Sequence, residues 1–319
     1  METKVLKRET KVLKRETKRK LFFYLMLAWP VFQFALMYFY VNFSSLILAF
    51  QKFELKNGIL TSSFCGFENF SFGFKHLASN LNLIKNSVVY CLIHIVVGVG
   101  GGTVFSYYIF KDYTGASLFK ICLFIPNIVA LIIFTTIYKY LCNNAYMSIM
   151  RELGSTVTMG LLENPDTGYW ILVLFNLLIG FGSTVLMVSG AMSGINESIV
   201  ESAQLDGVTS VQEFIYIAVP MVFPTLSTFT IVSLTGIFIN TINVVGFYDY
   251  LNIAPEHLRT YGYQFFLSVQ KSAYYDMGGM DVRMTIPQLS ALGLTFSVMT
   301  YAIVISVKKL LDKFGPSVD

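Results

Sequence analysis

Apolar positions in this chain gather into six long runs, at residues 21–50, 86–110, 117–141, 169–193, 221–245 and 287–307. A helix needs about twenty such residues to cross the hydrocarbon of a bilayer. The pattern therefore predicts an all-α fold with six membrane helices. The first run is long enough to tilt or emerge from the bilayer, and Trp29-Pro30 predicts a kink in it. Gly98, Gly100, Gly101 and Gly102 in the second run would let another helix approach closely. Pro126-Asn127 falls in the first third of the third run. The fourth run holds Asn176, Gly180 and Gly182. The fifth holds Asn240 and Asn243, one turn apart near its outer end, and the sixth ends at Lys308-Lys309.

Polar segments fill the gaps. Residues 1–20 form a basic tail, with Glu-Thr-Lys-Val-Leu-Lys-Arg occurring twice in tandem and then Glu-Thr-Lys. This tail reads as a solvated low-complexity segment, or as a helix lying on anionic lipid. Residues 51–85, 142–168 and 246–286 are expected on the outer side, the second marked by Asn164-Pro165-Asp166 as a turn. Lys111-Asp112 mark a short cytoplasmic turn, and 308–319 is a C-terminal tail. Six crossings put both termini on one face. Fourteen of the 23 Lys and Arg then fall on that face, nine of them in the tail, which makes it the cytoplasmic side.

The insert at 194–220 lies on the same face. Residues 195–220 carry Glu197, Glu201, Asp206 and Glu213 and no Lys or Arg. The pattern reads as two short helices joined at Gly207. Asn196 is placed to cap the first and Thr209 the second, with Gln212 completing a capping box. An ordered acidic helix-turn-helix on a membrane protein predicts a docking surface.

Composition agrees with the pattern. Only 13% of residues are charged, against about 25% in soluble domains. Mean hydropathy is +0.61, with 29 Phe and 19 Tyr. The class is a polytopic membrane protein. Cys65, Cys91, Cys122 and Cys142 have no metal-site spacing and read as free or buried thiols. The start is too long in its basic part and its first apolar run to be a cleavable signal.

Ion-coupled transporters usually carry ionisable residues inside the membrane. Runs two, four, five and six hold no Asp, Glu, Lys or Arg in their interior, and Lys120 and Lys139 sit near the ends of run three. His94 is at mid-membrane depth and reads as a hydrogen-bonding packing residue. No phosphate-binding loop is present, since no Lys-Ser/Thr follows the glycines. Energy is thus expected from a partner. A secondary transporter, and a hydrolase pairing Ser183 with His94, fit less well, because no interrupted charged helix or flanking pattern supports them.

Glu201-Ser202-Ala203, Gly207, Ile217 and Pro220 resemble the E-A-A, G, I-x-L-P pattern of permease subunits in binding-protein-dependent ABC importers. Ser202 and Val219 are mild departures. Phe64-Cys65-Gly66-Phe67-Glu68-Asn69-Phe70 is similar to the F-x-G-L-x-N-[FY] signature of maltose-type sugar permeases, and specifically of the first of their two permeases. The resemblance covers roughly residues 60–310. It implies a type I ABC importer permease fold in a bacterial cytoplasmic membrane. Residues 86–307 would be the transport core, and the first span would wrap a partner.

It also implies a second homologous permease, two cytoplasmic ATPase subunits, an extracellular solute-binding protein and an oligosaccharide substrate. ATP and Mg would be bound by the ATPases, with no cofactor and no nucleic acid on this chain. By position, Glu201, Ser202, Ala203, Asp206, Gly207, Phe214 and Pro220 would form the ATPase-coupling loop, with Glu201 meeting a cation on the ATPase. Ile253-Ala254-Pro255 before Thr260 departs from the family's Gly-Gly-Pro at the outer gate. A non-sugar solute is the alternative cargo. Amides and aromatic rings suit sugar hydroxyls and ring faces, which makes Asn240, Asn243, Asn176 and Tyr248 candidates for the sugar path.

Overall fold

The structure is a computed structural model that describes residues 2–56, 59–248, 253–275 and 285–316. It divides into two compact units, residues 1–73 with 286–294 and residues 74–285 with 295–319.

In the first unit a helical run starts at Glu2, and its apolar stretch α1 (Thr17–Ala49) is long enough to span a bilayer. Side chains from Leu21 to Tyr40 are exposed on every face, among them Phe23, Trp29 and Phe34. A helix apolar all round belongs in lipid or against another membrane protein. Strands β1 (Gln51–Lys56) and β2 (Ile59–Phe64) follow as an antiparallel hairpin, with Gln51 opposite Phe64 and Lys56 opposite Ile59. The all-helical expectation missed this hairpin.

Helix α2 (Glu68–Ser79) comes next, starting within the Phe64–Phe70 signature. Asn69 donates from Nδ2 to the Ala49 carbonyl at 2.9 Å and to the Gln51 carbonyl at 2.8 Å. The Phe50 ring lies 5.6 Å from Phe67 and 5.2 Å from Phe70. The signature's Asn thus satisfies the last carbonyl of α1 and the first of β1, and its rings cover the joint.

The second unit is built on α3 (Leu81–Phe110), α4 (Ala116–Ile128), α5 (Leu131–Glu152), α6 (Gly168–Met192), α7 (Glu197–Leu205), α8 (Ser210–Thr235) and α9 (Tyr261–Tyr275). Its last helix, α10 (Ile286–Phe314), begins in the first unit. Among the described residues five helices are long and apolar enough to span, or six if α4 and α5 count as one broken span. Spans two and four lie within five residues of the expected bounds at 81–110 and 168–192, and the sixth overruns its predicted end.

The third span is not the continuous helix expected at 117–141. Val129 and Ala130 are extended, and α4 and α5 bend by 101° there. Pro126 removes a donor just before the break. The fifth span is shifted from the expected 221–245. The loop's second helix runs straight into it, with a wide five-residue turn, Phe214–Ala218, just ahead of Pro220. Such a wide turn lets Pro220, which lacks an N–H, sit inside a continuous helix. The helix then stops at Thr235, and Ile242 and Asn243 take positive φ values of 44° and 53°. Asn240 and Asn243 therefore lie beyond the helix, not one turn apart on it.

Helix α6 carries the core of this unit. One cluster joins Tyr169, Leu172 and Phe175 to Tyr90, Ile242, Phe247, Leu258 and Tyr263. The other joins Val188 and Met192 to Tyr107, Ile195, Val200, Ala218 and Val222. Where α3 meets α6, a Cβ on Gly102 would lie 3.0 Å from Thr184 Cγ2, and Ser106 Oγ donates across the joint to the Val185 carbonyl at 3.0 Å. Gly101 and Gly102 thus permit the close approach the sequence suggested, whereas Gly98 and Gly100 meet only α3 itself.

Candidate functional site

The loop between α6 and α8 is held at each end by its own backbone chemistry. Asn196 caps α7, its Oδ1 accepting the Ser198 N–H at 3.1 Å. At the other end Gly207 has φ +77°, its N–H reaches the Gln204 carbonyl at 3.1 Å and the Val208 N–H reaches the Ala203 carbonyl at 3.1 Å. This is a Schellman closure, whose left-handed residue favours glycine. Thr209 then opens α8 with the predicted capping box. Its N–H donates to Gln212 Oε1 at 3.0 Å, and the Gln212 N–H returns to Thr209 Oγ1 at 3.4 Å.

One face of this loop is buried and the other is open. Val200 faces inward with Ile195 and Ala218, against Tyr107, Val188 and Met192, and Ala203 is buried too. Phe214 is half-buried, its ring 5.1 Å from Tyr107. Outward lie Glu197, Glu201, Ser202, Gln204 and Asp206, together with Leu205 at 89% exposure, Val211 and Tyr216. Ser202 Oγ returns to the Ser198 carbonyl at 2.7 Å. Glu201, Ser202, Asp206 and Gly207 thus share the open side, Ala203 and Phe214 form the base, and Pro220 sits back within α8. The open face is acidic with apolar side chains among the acids.

Glu213 does not belong to that face. Sequence reasoning grouped it with the other acids, but its side chain is 3% exposed and pairs with Lys111, whose Nζ lies 3.0 Å from both carboxylate oxygens. Lys111 stands at the C-terminal end of α3 and Glu213 in the first turn of α8, so each charge also suits the dipole of its helix. Removing one partner of such a buried pair strands the other charge, at a cost of about 3–5 kcal/mol. Lys111 was visible in the sequence as a turn residue, but nothing local linked it to a position 102 residues away.

The candidates for the solute path separate in the structure. Asn176 is buried in α6, and its Nδ2 donates to the Leu172 and Ile242 carbonyls at 2.8 Å each. Asn243 donates from Nδ2 to Asn176 Oδ1 at 2.8 Å. These two amides hold the irregular backbone after α8 against α6. Asn240 is exposed. Its Oδ1 accepts the Ile242 N–H at 2.8 Å and its carbonyl accepts the Thr260 hydroxyl at 2.8 Å. Tyr248 is half-buried, with the Lys139 ammonium 5.2 Å from its ring centre. Lys139 also donates to the Phe247 carbonyl at 3.0 Å.

His94 pairs with Ser233, Nδ1 to Oγ, at 3.0 Å, while Ser183 donates to Asn127 Oδ1 at 3.1 Å. The imagined Ser183–His94 pair is not formed. His94 joins α3 to α8 as a packing residue. The outer-gate departure at 250–262 falls partly on residues 250–252, outside the described residues; Ala254 and Thr260 are buried.

Comparison with known proteins follows the same lines. Residues 94–251 match the family described as the binding-protein-dependent transport system inner membrane component. An arabinooligosaccharides transport system permease protein, AraP of Halalkalibacterium halodurans, is 20% identical over 229 residues, covering 70% of this chain and 67% of that protein. The maltose/maltodextrin transport system permease protein MalF of Escherichia coli K12 is 24% identical over 150 residues, 46% of this chain. The match spans 29% of MalF's length. In structure, a chain from a bacterial ABC transporter that imports the acidic polysaccharide alginate superposes with a TM-score of 0.70 at 20% identity, over 95% of this chain and 99% of that one. That likeness is one of fold.

Proposed function

Because this chain is, over residues 94–251, a binding-protein-dependent transport system inner membrane component, we propose that it is the permease subunit of an ATP-driven importer for oligosaccharides. The observation that carries the mechanism is the capped loop at 194–220, buried on one side and acidic on the other. In this reading the open face docks into a groove on a cytoplasmic ATPase subunit, one of two, which bind ATP and Mg. Glu201 meets a cation there. The N- and C-termini share the cytoplasmic side with the loop.

A second, homologous permease completes the path, and α1, exposed on all faces, lies against it or in lipid. A solute-binding protein delivers the sugar from outside. Closure of the ATPase dimer moves the loop as a rigid body and switches the access of the path. The sugar specificity of the curated relatives and the irregular, amide-bearing backbone at 236–243 support an oligosaccharide cargo. Non-helical backbone at membrane depth is tolerated where it lines a cavity or is packed in protein.

The test compares Glu201→Lys and Gly207→Asp with wild type in producing cells. It reads uptake of labelled arabino-, malto- and alginate oligosaccharides, and retention of ATPase subunits on the affinity-purified chain. Glu201→Lys places like charge against the docking cation. Gly207→Asp strains a left-handed turn by about 1 kcal/mol or more and adds repulsion to an acidic face. Both should abolish uptake and reduce ATPase retention, with normal amounts of chain in the membrane. Uptake and retention at wild-type levels would refute the coupling role.

A further inference from the structure

We propose that Lys111 and Glu213 form a latch that makes the loop at 194–220 and the cytoplasmic end of α3 move as one piece. This rests on the reading of that loop as the ATPase-coupling element. Three contacts join the two segments. The Lys111–Glu213 pair is two-pronged, at 3.0 Å to each oxygen, with Glu213 buried and Lys111 partly so. Tyr113 donates from its hydroxyl to Ser210 Oγ at 3.1 Å. The rings of Tyr107 and Phe214 pack at 5.1 Å. All three sit on the stretch 107–113 and the stretch 210–214, so they clamp the root of α8 rather than the docking face.

The turn that supplies Lys111 and Tyr113 is itself fixed. Asp112 has φ 47° and Gly115 has φ 86°, the Ala116 N–H returns to the Tyr113 carbonyl at 2.9 Å, and the Tyr108 hydroxyl donates to the Thr114 carbonyl. The Tyr107 hydroxyl is buried, within electrostatic reach of Glu213. Glu213, at 3% exposure, has almost no water to fall back on, whereas the Tyr113–Ser210 bond is exposed. A displaced Glu213 would lose its cation in a buried site, so the pair favours one loop position over intermediate ones. A push on the docking face then reaches α3 through the latch, as well as α6 and α8 through the chain. Lys111 and Glu213 are positioning residues in this scheme, since neither meets the ATPase or the solute.

The test uses the full importer in reconstituted membranes and the same labelled oligosaccharides. It reads sugar moved per ATP hydrolysed. Lys111→Met and Glu213→Gln should lower that ratio roughly tenfold, the scale of an ordinary inter-site coupling, while hydrolysis and ATPase retention persist. Lys111→Arg, and the double swap Lys111→Glu with Glu213→Lys, should restore it. A spin label on Gln204 should become more mobile in the single variants and return to wild type in the swap.

A wild-type ratio in both single variants overturns the latch. So does a loss of chain from the membrane that the swap repairs without repairing the ratio, which would make the pair a folding anchor alone. Glu201→Lys run alongside keeps the two readings apart. If that variant transports normally the coupling role of the loop fails, whereas if it is inactive and the latch variants are coupled, only the latch fails.

Discussion

At the residue scale, the amides of the solute path have different tasks. Asn176 is surrounded by partners: two backbone carbonyls take its amide hydrogens and Asn243 donates to its oxygen. Replacing it by Leu would leave the Ile242 carbonyl and the Asn243 amide without partners, about 1–3 kcal/mol for each buried group. Asn240 is exposed, and its Oδ1 caps the Ile242 N–H locally. Asn176→Leu should therefore lower the amount and thermal stability of the assembled complex. Asn240→Leu should reduce uptake while leaving assembly near wild type. Melting of the purified complex, read beside uptake, checks both, and a stable Asn176→Leu complex would contradict the packing role. The sequence did not show the packing role of Asn176, because a backbone carbonyl 66 residues away leaves no local mark.

At the scale of elements, the loop was legible almost residue by residue. Asn196, Gly207, Thr209 and Gln212 do what their sequence positions suggested, since caps and left-handed turns depend on neighbours within four residues. The span boundaries at α3 and α6 were also readable from apolar run length. The errors have two sources. Pro220 read as a helix boundary because the wide turn at Phe214–Ala218 that admits it has no sequence signature. The hairpin at 51–64 was passed over although Asn57-Gly58 stands between its strands in the sequence, a pair that often marks a two-residue hairpin loop. The burial of Glu213 was invisible because its partner is on another helix.

The capping box gives a direct check at this scale. Thr209→Ala should destabilise the start of α8 by about 1 kcal/mol. Hydrogen exchange should show faster exchange at the Gln212 and Glu213 amides and little change in the middle of α6. Unchanged protection there would contradict a loop held by its caps.

At the scale of the whole molecule, the absence of Asp, Glu, Lys and Arg from the interior of most apolar runs pointed to energy from a partner, and the family match agrees with a subunit of a larger importer. Each feature of the loop then has a consistent task. The caps close its ends, Val200 packs into the core, and Glu201, Asp206 and Leu205 stay exposed. Leu205, at 89% exposure beside the Gly207 turn, is the apolar side chain that has most to gain from being covered. A photo-crosslinking amino acid at position 205, activated in intact cells and followed by mass spectrometry of the adduct, tests the account most directly. The account predicts a covalent adduct with a cytoplasmic ATPase subunit, lost when Glu201 is changed to Lys. An adduct with an extracellular protein, or none beyond lipid, would contradict it.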